Sequence, residues 1–241
     1  VNVYGCFMEL SDNQSLLERG ISELELKAEA ARASIRQMDG LTTEVKNSAL
    51  NNLADMLIQR SAEILDANSE DCLAASKSGN QETTLDRLQL NTGRIQSLAS
   101  SVRNIALLPD PVGESFDSAT MDNGLRIEKK RVPLGVIGTI YESRPAVTVD
   151  ISALCLKSGN AAILRGGTEA FQSNKILAGI VRSAISEVGV PVDSVQFINC
   201  TDRNLVSRML AMSDEIDLMI PRGGHQLVRR VGKEAKMPAI T

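Results

Sequence analysis

The chain has 241 residues, 43% hydrophobic and 23% charged, a composition ordinary for a globular protein and a length suited to one large domain or two small ones. A formal net charge of −4 argues against a nucleic-acid-binding surface, which carries a basic surplus, and no run approaches the ~18 apolar residues of a membrane span. Four cysteines in no CxxC pair (Cys6, Cys72, Cys155, Cys200) and a single histidine, His225, leave no clustered ligand set for a metal and suggest reduced thiols in a cytosolic protein.

The opening VNVYGCFMELSDNQS lacks the basic flank and apolar run of a secretory signal, so residues 1–23 read as an extension. Residues 15–38 are rich in the helix formers Ala, Glu, Leu and Arg. Thr42 is placed to cap a second helix, with Glu44 in its positive first turn and a stripe of Val45, Ala49, Leu50, Leu53, Met56 and Leu57. A third helix is expected over Ser61–Lys77, stopped by Gly79. Ile95, Leu98, Ala99, Val102, Ile105 and Ala106 line one face of a fourth, which ends before Pro109 and Pro111.

A hairpin follows within residues 112–132. Phe116, Ser118 and Thr120 alternate with their neighbours, Asp122-Asn123-Gly124 supplies the turn, and Leu125 and Ile127 alternate with charged residues. One face of this pair is expected to be wet, and Lys129-Lys130-Arg131 reads as solvated strand rather than a binding patch.

From residue 134 strands and helices alternate. Leu134–Ile140 reads as a strand covered on both faces, and Ala161–Leu164, Val195–Ile198 and Ile216–Ile220 read as further strands. Helices are expected over Pro145–Ser158, Glu169–Val188, a segment capped by Asp202, and Gly224–Ala235. Successive βα units predict an α/β fold with a doubly wound, Rossmann-like parallel sheet.

Ligands of such sheets bind beyond the carboxyl ends of the strands. Three junctions fall there: Tyr141-Glu142-Ser143-Arg144-Pro145, Arg165-Gly166-Gly167-Thr168 and Pro221-Arg222-Gly223-Gly224. Glycine lets backbone approach a ligand closely, a helix N-terminus offers free N–H groups, and arginine grips phosphate with two parallel hydrogen bonds. Two junctions pairing an arginine with two glycines point to a nucleotide or phosphate crevice, although neither GxGxxG nor a P-loop is present.

Pro133-Leu134-Gly135-Val136-Ile137-Gly138, Tyr141-Glu142-Ser143-Arg144-Pro145, Leu154-Cys155-Leu156-Lys157-Ser158-Gly159-Asn160-Ala161, Ile163-Leu164-Arg165-Gly166-Gly167 and Ile216–Gly224 closely resemble the γ-glutamyl phosphate reductases of the aldehyde dehydrogenase superfamily. The resemblance extends from about residue 24 to 241 and takes in Lys46-Asn47, Ile64–Asn68 and Leu85–Leu88. It implies an aldehyde dehydrogenase-like fold, with residues 24–241 as the cofactor-binding domain and 112–132 as an oligomerisation-type hairpin in a homo-oligomer. It also implies NADPH-dependent reduction of L-glutamyl 5-phosphate to glutamate semialdehyde in cytoplasmic proline biosynthesis, with glutamate kinase as a pathway partner.

The resemblance assigns Arg165 to the adenosine ribose or its 2′-phosphate and Gly223 and Gly224 to the glycine turn beneath the pyrophosphate of NADP, with Gly166, Gly167, Thr168, Pro221 and Arg222 as further cofactor-binding residues. Ser143 and Arg144 fall in the oxyanion and substrate region. The family's nucleophile belongs to a Cys-Asn segment expected beyond Thr241, with the catalytic domain. Cys155 reads as a packed thiol in an apolar helix, Cys200 as an inert one, and His225 as a surface residue. The alternative reading is a non-catalytic nucleotide-binding or oligomer-forming fragment, poorly soluble alone if an apolar face is left open.

Overall fold

The computed structural model describes the backbone from Val3 to Thr241 and side chains from Leu16 onward. Helix α1 (Val3–Met38) runs unbroken through residue 23, and Leu24, Ala28, Ala31 and Met38 form its buried stripe. Cys6 lies outside the described side chains.

Helix α2 (Thr43–Gln59) starts as expected: the Thr42 hydroxyl accepts from the Val45 amide, and Ala49, Leu50, Leu53 and Leu57 are buried. Helix α3 (Ser61–Lys77) has the expected bounds. A further short helix, α4 (Glu82–Leu88), is not marked by any periodicity. It is held from outside: Asn68 of α3 donates to Leu88 O at 2.9 Å and accepts from Leu90 N at 2.6 Å. Helix α5 (Thr92–Leu107) is capped by Asn91, which accepts from Arg94 N.

Strands β1 (Ser115–Thr120) and β2 (Arg126–Lys130) form the antiparallel hairpin, turning through Gly124 at φ +84°. The alternation misleads here. Every residue of both strands is exposed, and among the described residues no other helix or strand packs on either face; the register shifts between Phe116 and Ala119. Lys129 pairs with Asp117, Arg131 pairs with Glu114, and the Arg131 guanidinium lies over the Phe116 ring.

The main sheet is parallel: β3 (Val136–Tyr141), β4 (Ala161–Gly166), β5 (Val195–Phe197) and β6 (Leu218–Arg222), in the order β5-β4-β3-β6. β3 and β4 are buried throughout, as continuous apolar runs require. Helices α6 (Ala146–Lys157) and α7 (Phe171–Ser186) cover one face, backed by α2 and α5. Helices α1 and α8 (Leu205–Leu210) lie on the other, and α9 (His225–Glu234) follows β6. Residues 238–240 pair with β6, Met219 N donating to Pro238 O and Ile240 N to Met219 O.

Three local expectations shift. β6 begins at Leu218 rather than Ile216, because Ile216 N still closes a turn onto Met212 O. Thr168–Ala170 is a 3-10 turn preceding α7. Asp202 does not cap α8; its carboxylate accepts from Asn204 N at 2.8 Å in the preceding loop.

Candidate functional site

β3 is the first strand of the sheet in sequence, yet it lies between β4 and β6. The chain therefore steps outward through β4 and β5 and returns to the far side of β3, making β3/β6 the point where strand order reverses. Beyond the carboxyl ends of these strands a crevice opens as two adjoining cavities. One, of about 440 Å³, lies over β4 and is lined by residues including Ile140, Glu142, Ser143, Arg165, Gly167, Thr168, Glu169 and Arg203. The other, of about 550 Å³, lies over β3/β6 and is lined by Arg144, Pro221, Arg222, Gly223 and Gly224 among others. Thr84, Glu142 and Ser143 belong to both.

The wall between them is the β3–α6 turn. Glu142 N donates to Arg222 O at 3.0 Å, tying the ends of β3 and β6 together. Ser143 has φ +46°, a conformation that costs a non-glycine residue on the order of 1–2 kcal/mol. Glu169 compensates: its Oε1 accepts from both the Ser143 amide (2.7 Å) and hydroxyl (2.6 Å). The Glu142 carboxylate accepts from the Gly224 amide at 2.8 Å, at the N-terminus of α9. A side chain at Gly223 would meet that carboxylate, its Cβ falling 2.5 Å from Glu142 Oε2.

Beneath the turn lies a buried polar chain. Tyr141 and Thr148 share a hydrogen bond of 2.6 Å, and Thr148 donates to Asn174 Oδ1 at 3.1 Å. Burial pushes the Tyr141 phenol well above its usual range, against the opposing effects of the Thr148 hydrogen bond and the Arg165 charge. A Cβ at Gly166 would overlap the Asn174 amide, so this glycine serves packing rather than the cavity surface. Burial also raises the Asp150 carboxyl on α6, partly offset by the charge of Arg222.

Arg165 is 7% exposed. Its Nη2 donates to Thr201 O (2.9 Å) and Asp202 O (3.3 Å), while its buried Nε has no partner. The site residues expected from sequence thus divide. Arg165, Gly167 and Thr168 line the β4 cavity, Arg144 and Pro221–Gly224 line the β3/β6 cavity, and Ser143 lines both. Gly166 lines neither.

Sequence reasoning missed Thr84 and Arg87 of α4, the carboxylates of Glu142 and Glu169, and Arg203 and Arg230. Arg203 was the findable one, since it follows β5 at the same sheet edge; its junction lacks the glycine pair that marked the others. Cys155 is buried in α6, Cys72 is half-buried on α3, and Cys200 packs against Gly20 of α1; none of the three lines the two crevice cavities. His225 is exposed at the start of α9. Among the described residues no helix is long and apolar enough to cross a membrane, and no three His, Cys, Asp or Glu side chains cluster as a metal site.

A family model described as "Aldehyde dehydrogenase family" matches residues 18–241. A γ-glutamyl phosphate reductase of Dehalococcoides mccartyi is 50% identical over 224 residues, covering 93% of this chain and 53% of that relative. The crystal structure of γ-glutamyl phosphate reductase from Thermotoga maritima matches with a TM-score of 0.88 at 43% identity, over 90% of this chain and 52% of that one. The corresponding Saccharomyces cerevisiae structure gives a TM-score of 0.83 at 35% identity, over 89% and 55%. The chain spans about half the length of the curated relatives it matches. In sequence and in fold, the chain belongs to the aldehyde dehydrogenase family and is similar to its γ-glutamyl phosphate reductases.

Proposed function

We propose that this chain is the dinucleotide-binding part of a γ-glutamyl phosphate reductase, which reduces L-glutamyl 5-phosphate to glutamate semialdehyde and phosphate in proline biosynthesis. The observation that carries the reading is the crevice at the β3/β6 reversal, where the N-terminus of α9 faces the strand ends.

The residues present fit NADPH. The buried, unpartnered Nε of Arg165 at the β4 cavity and the guanidinium groups of Arg144 and Arg222 at the β3/β6 cavity suit an anionic ligand. Gly223 and Gly224, with Pro221 and Arg222, would hold the pyrophosphate; Arg165, Gly167 and Thr168 would hold the adenosine ribose, with Gly166 supporting them from beneath. NADPH supplies a hydride when bound. Ser143 and Arg144 line the β3/β6 cavity on the turn that Glu169 holds at positive φ; in this reading they would meet the acyl phosphate, whose charge suits the Arg144 guanidinium.

The reaction needs a cysteine thiolate to displace phosphate and carry the glutamyl group as a thioester. That thiolate is expected from the family's Cys-Asn segment. In this reading residues 24–241 form the cofactor domain after the 1–23 extension. The hairpin, with both faces open, serves contact between copies in a cytoplasmic homo-oligomer. Glutamate kinase, making the acyl phosphate, is the pathway partner. A second reading, a nucleotide-binding fragment without turnover, is favoured by the absence of Cys72, Cys155 and Cys200 from the crevice cavities.

Titration of the chain with NADPH, followed by nicotinamide fluorescence, tests the binding reading; no saturable signal would sink it. A parallel assay of NADP reduction with glutamate semialdehyde and phosphate, run on this chain alone and on this chain joined to the Cys-Asn-bearing half of a reductase relative, separates the two readings. Turnover only in the joined protein supports the reductase, and turnover in neither supports the fragment.

A further inference from the structure

Three arginines, Arg165, Arg203 and Arg230, line the cavity over β4. Two of them are already engaged. Arg165 Nη2 donates to the carbonyls of Thr201 and Asp202, and Arg230 donates to Glu234 (2.9 Å) and Ser207 (2.7 Å). Arg203 is exposed and, among the described residues, its guanidinium has neither an ion pair nor a hydrogen bond. The cavity's two carboxylates do not answer it: Glu142 accepts from Gly224 N, and Glu169 Oε1 from Ser143.

A further observation points to an anion: the Nε of Arg165 is buried with no acceptor. The bonds from Arg165 also brace the 201–202 loop, and with it the backbone that carries Arg203.

Position selects the anion. Pyrophosphate belongs at the strand-order reversal, over β3/β6, and the adenosine ribose then lies at the end of the neighbouring strand, here β4. A 2′-phosphate on that ribose falls beside the end of β4 and the loop after β5; a 2′-hydroxyl there would gain little from a guanidinium.

We propose that Arg203 is the specificity-determining residue for the cofactor, its guanidinium taking the dianionic 2′-phosphate of the adenosine half, while Arg165, at the ribose, also braces the loop that carries Arg203. The assignment rests on the dinucleotide reading above and deepens it.

The test is calorimetric titration of the chain and its variants with NADPH, NADH, 2′,5′-ADP and inorganic phosphate. The parent binds NADPH more tightly than NADH. Arg203→Ala weakens NADPH and 2′,5′-ADP by about 10–100-fold, the worth of one hydrogen-bonded charge, and leaves NADH unchanged. Arg203→Lys recovers part of the loss, keeping the charge without the planar fork. The NADPH preference of the parent also fades below about pH 6, where the phosphate monoester loses its second charge.

Equal weakening of NADPH and NADH, or none for NADPH, overturns the Arg203 assignment and leaves the dinucleotide reading standing. Inorganic phosphate binding as tightly as 2′,5′-ADP also overturns it, making the cavity a simple phosphate site. Failure to bind either dinucleotide overturns both readings. Thermal melting of Arg203→Ala alongside the parent excludes unfolding as the cause.

Discussion

The Gly224 amide donates to the Glu142 carboxylate at 2.8 Å, so an acid of the crevice itself occupies the N-terminus of α9, where an incoming phosphate would be drawn. Glu142→Gln keeps the shape and removes the competing charge. Nucleotide affinity should rise by about 2–5-fold, the worth of one charge at a helix end, and the gain should shrink at high salt. Titration with NADPH at two ionic strengths checks this. A loss of affinity would instead make Glu142 a direct ligand of the nucleotide.

Lys46 and Asp110 form an ion pair at 2.6 Å between α2 and the segment after α5, their side chains 4% and 10% exposed. Removing one partner leaves a buried charge uncompensated, so Lys46→Met should cost about 3–5 kcal/mol in denaturant unfolding, and Lys46→Met with Asp110→Leu should recover most of it. If the double variant is no better than the single one, the pair is not what holds this contact.

The same aspartate gives the stability an acid limb. Burial acts to raise the Asp110 carboxyl, but hydrogen bonds from Lys46, the Val112 amide and Thr43 outweigh it and hold it below its ordinary value. A folded pKa below the unfolded one stabilises fully above the unfolded value, about 3.9, and the contribution is lost as pH falls through the folded value. Melting temperature followed from pH 6 to pH 2 should fall less steeply in Asp110→Asn than in the parent. Parallel curves would refute the assignment.

Gly135 enters β3 at φ +122°, and a Cβ there would overlap the Asp217 carboxylate. That carboxylate accepts from Val136 N and from Arg32 Nη1, both at 2.7 Å, joining α1, β3 and the start of β6. Gly135→Ala should cost about 2–4 kcal/mol, seen as a lower denaturant midpoint at unchanged slope. An unchanged midpoint would mean that the backbone there rearranges freely.

Burial pushes the Cys155 thiol up to about 12. Alkylation follows the thiolate, so Cys155 should stay unlabelled by iodoacetamide from pH 7 to 9 in the folded protein and react only in denaturant. The Cys72 thiol is raised as well, by burial and then by the charge of Asp71. Peptide mapping after native labelling reads both; modification of Cys155 would reveal opening of α6.

Local signals carried well where their causes are local. Thr42 caps α2 because its hydroxyl meets an amide three residues on, and β3 and β4 are legible because both their faces are buried. Helix α4 escaped because its turns are held by Asn68 of another helix rather than by its own propensity. The hairpin misled because alternation normally reports a half-buried strand, and here, among the described residues, both faces are exposed.

The candidate site divides along the same line. The sequence by itself determined that glycine and arginine junctions end successive strands, and its motifs pointed to the family. Only the tertiary structure decided that β3 and β6 are neighbours, and so where the crevice lies. It alone set Glu142 on Gly224, Glu169 on Ser143, and Arg165 beneath the loop that carries Arg203. These pairings join residues distant along the chain, and strand order and register bring them together.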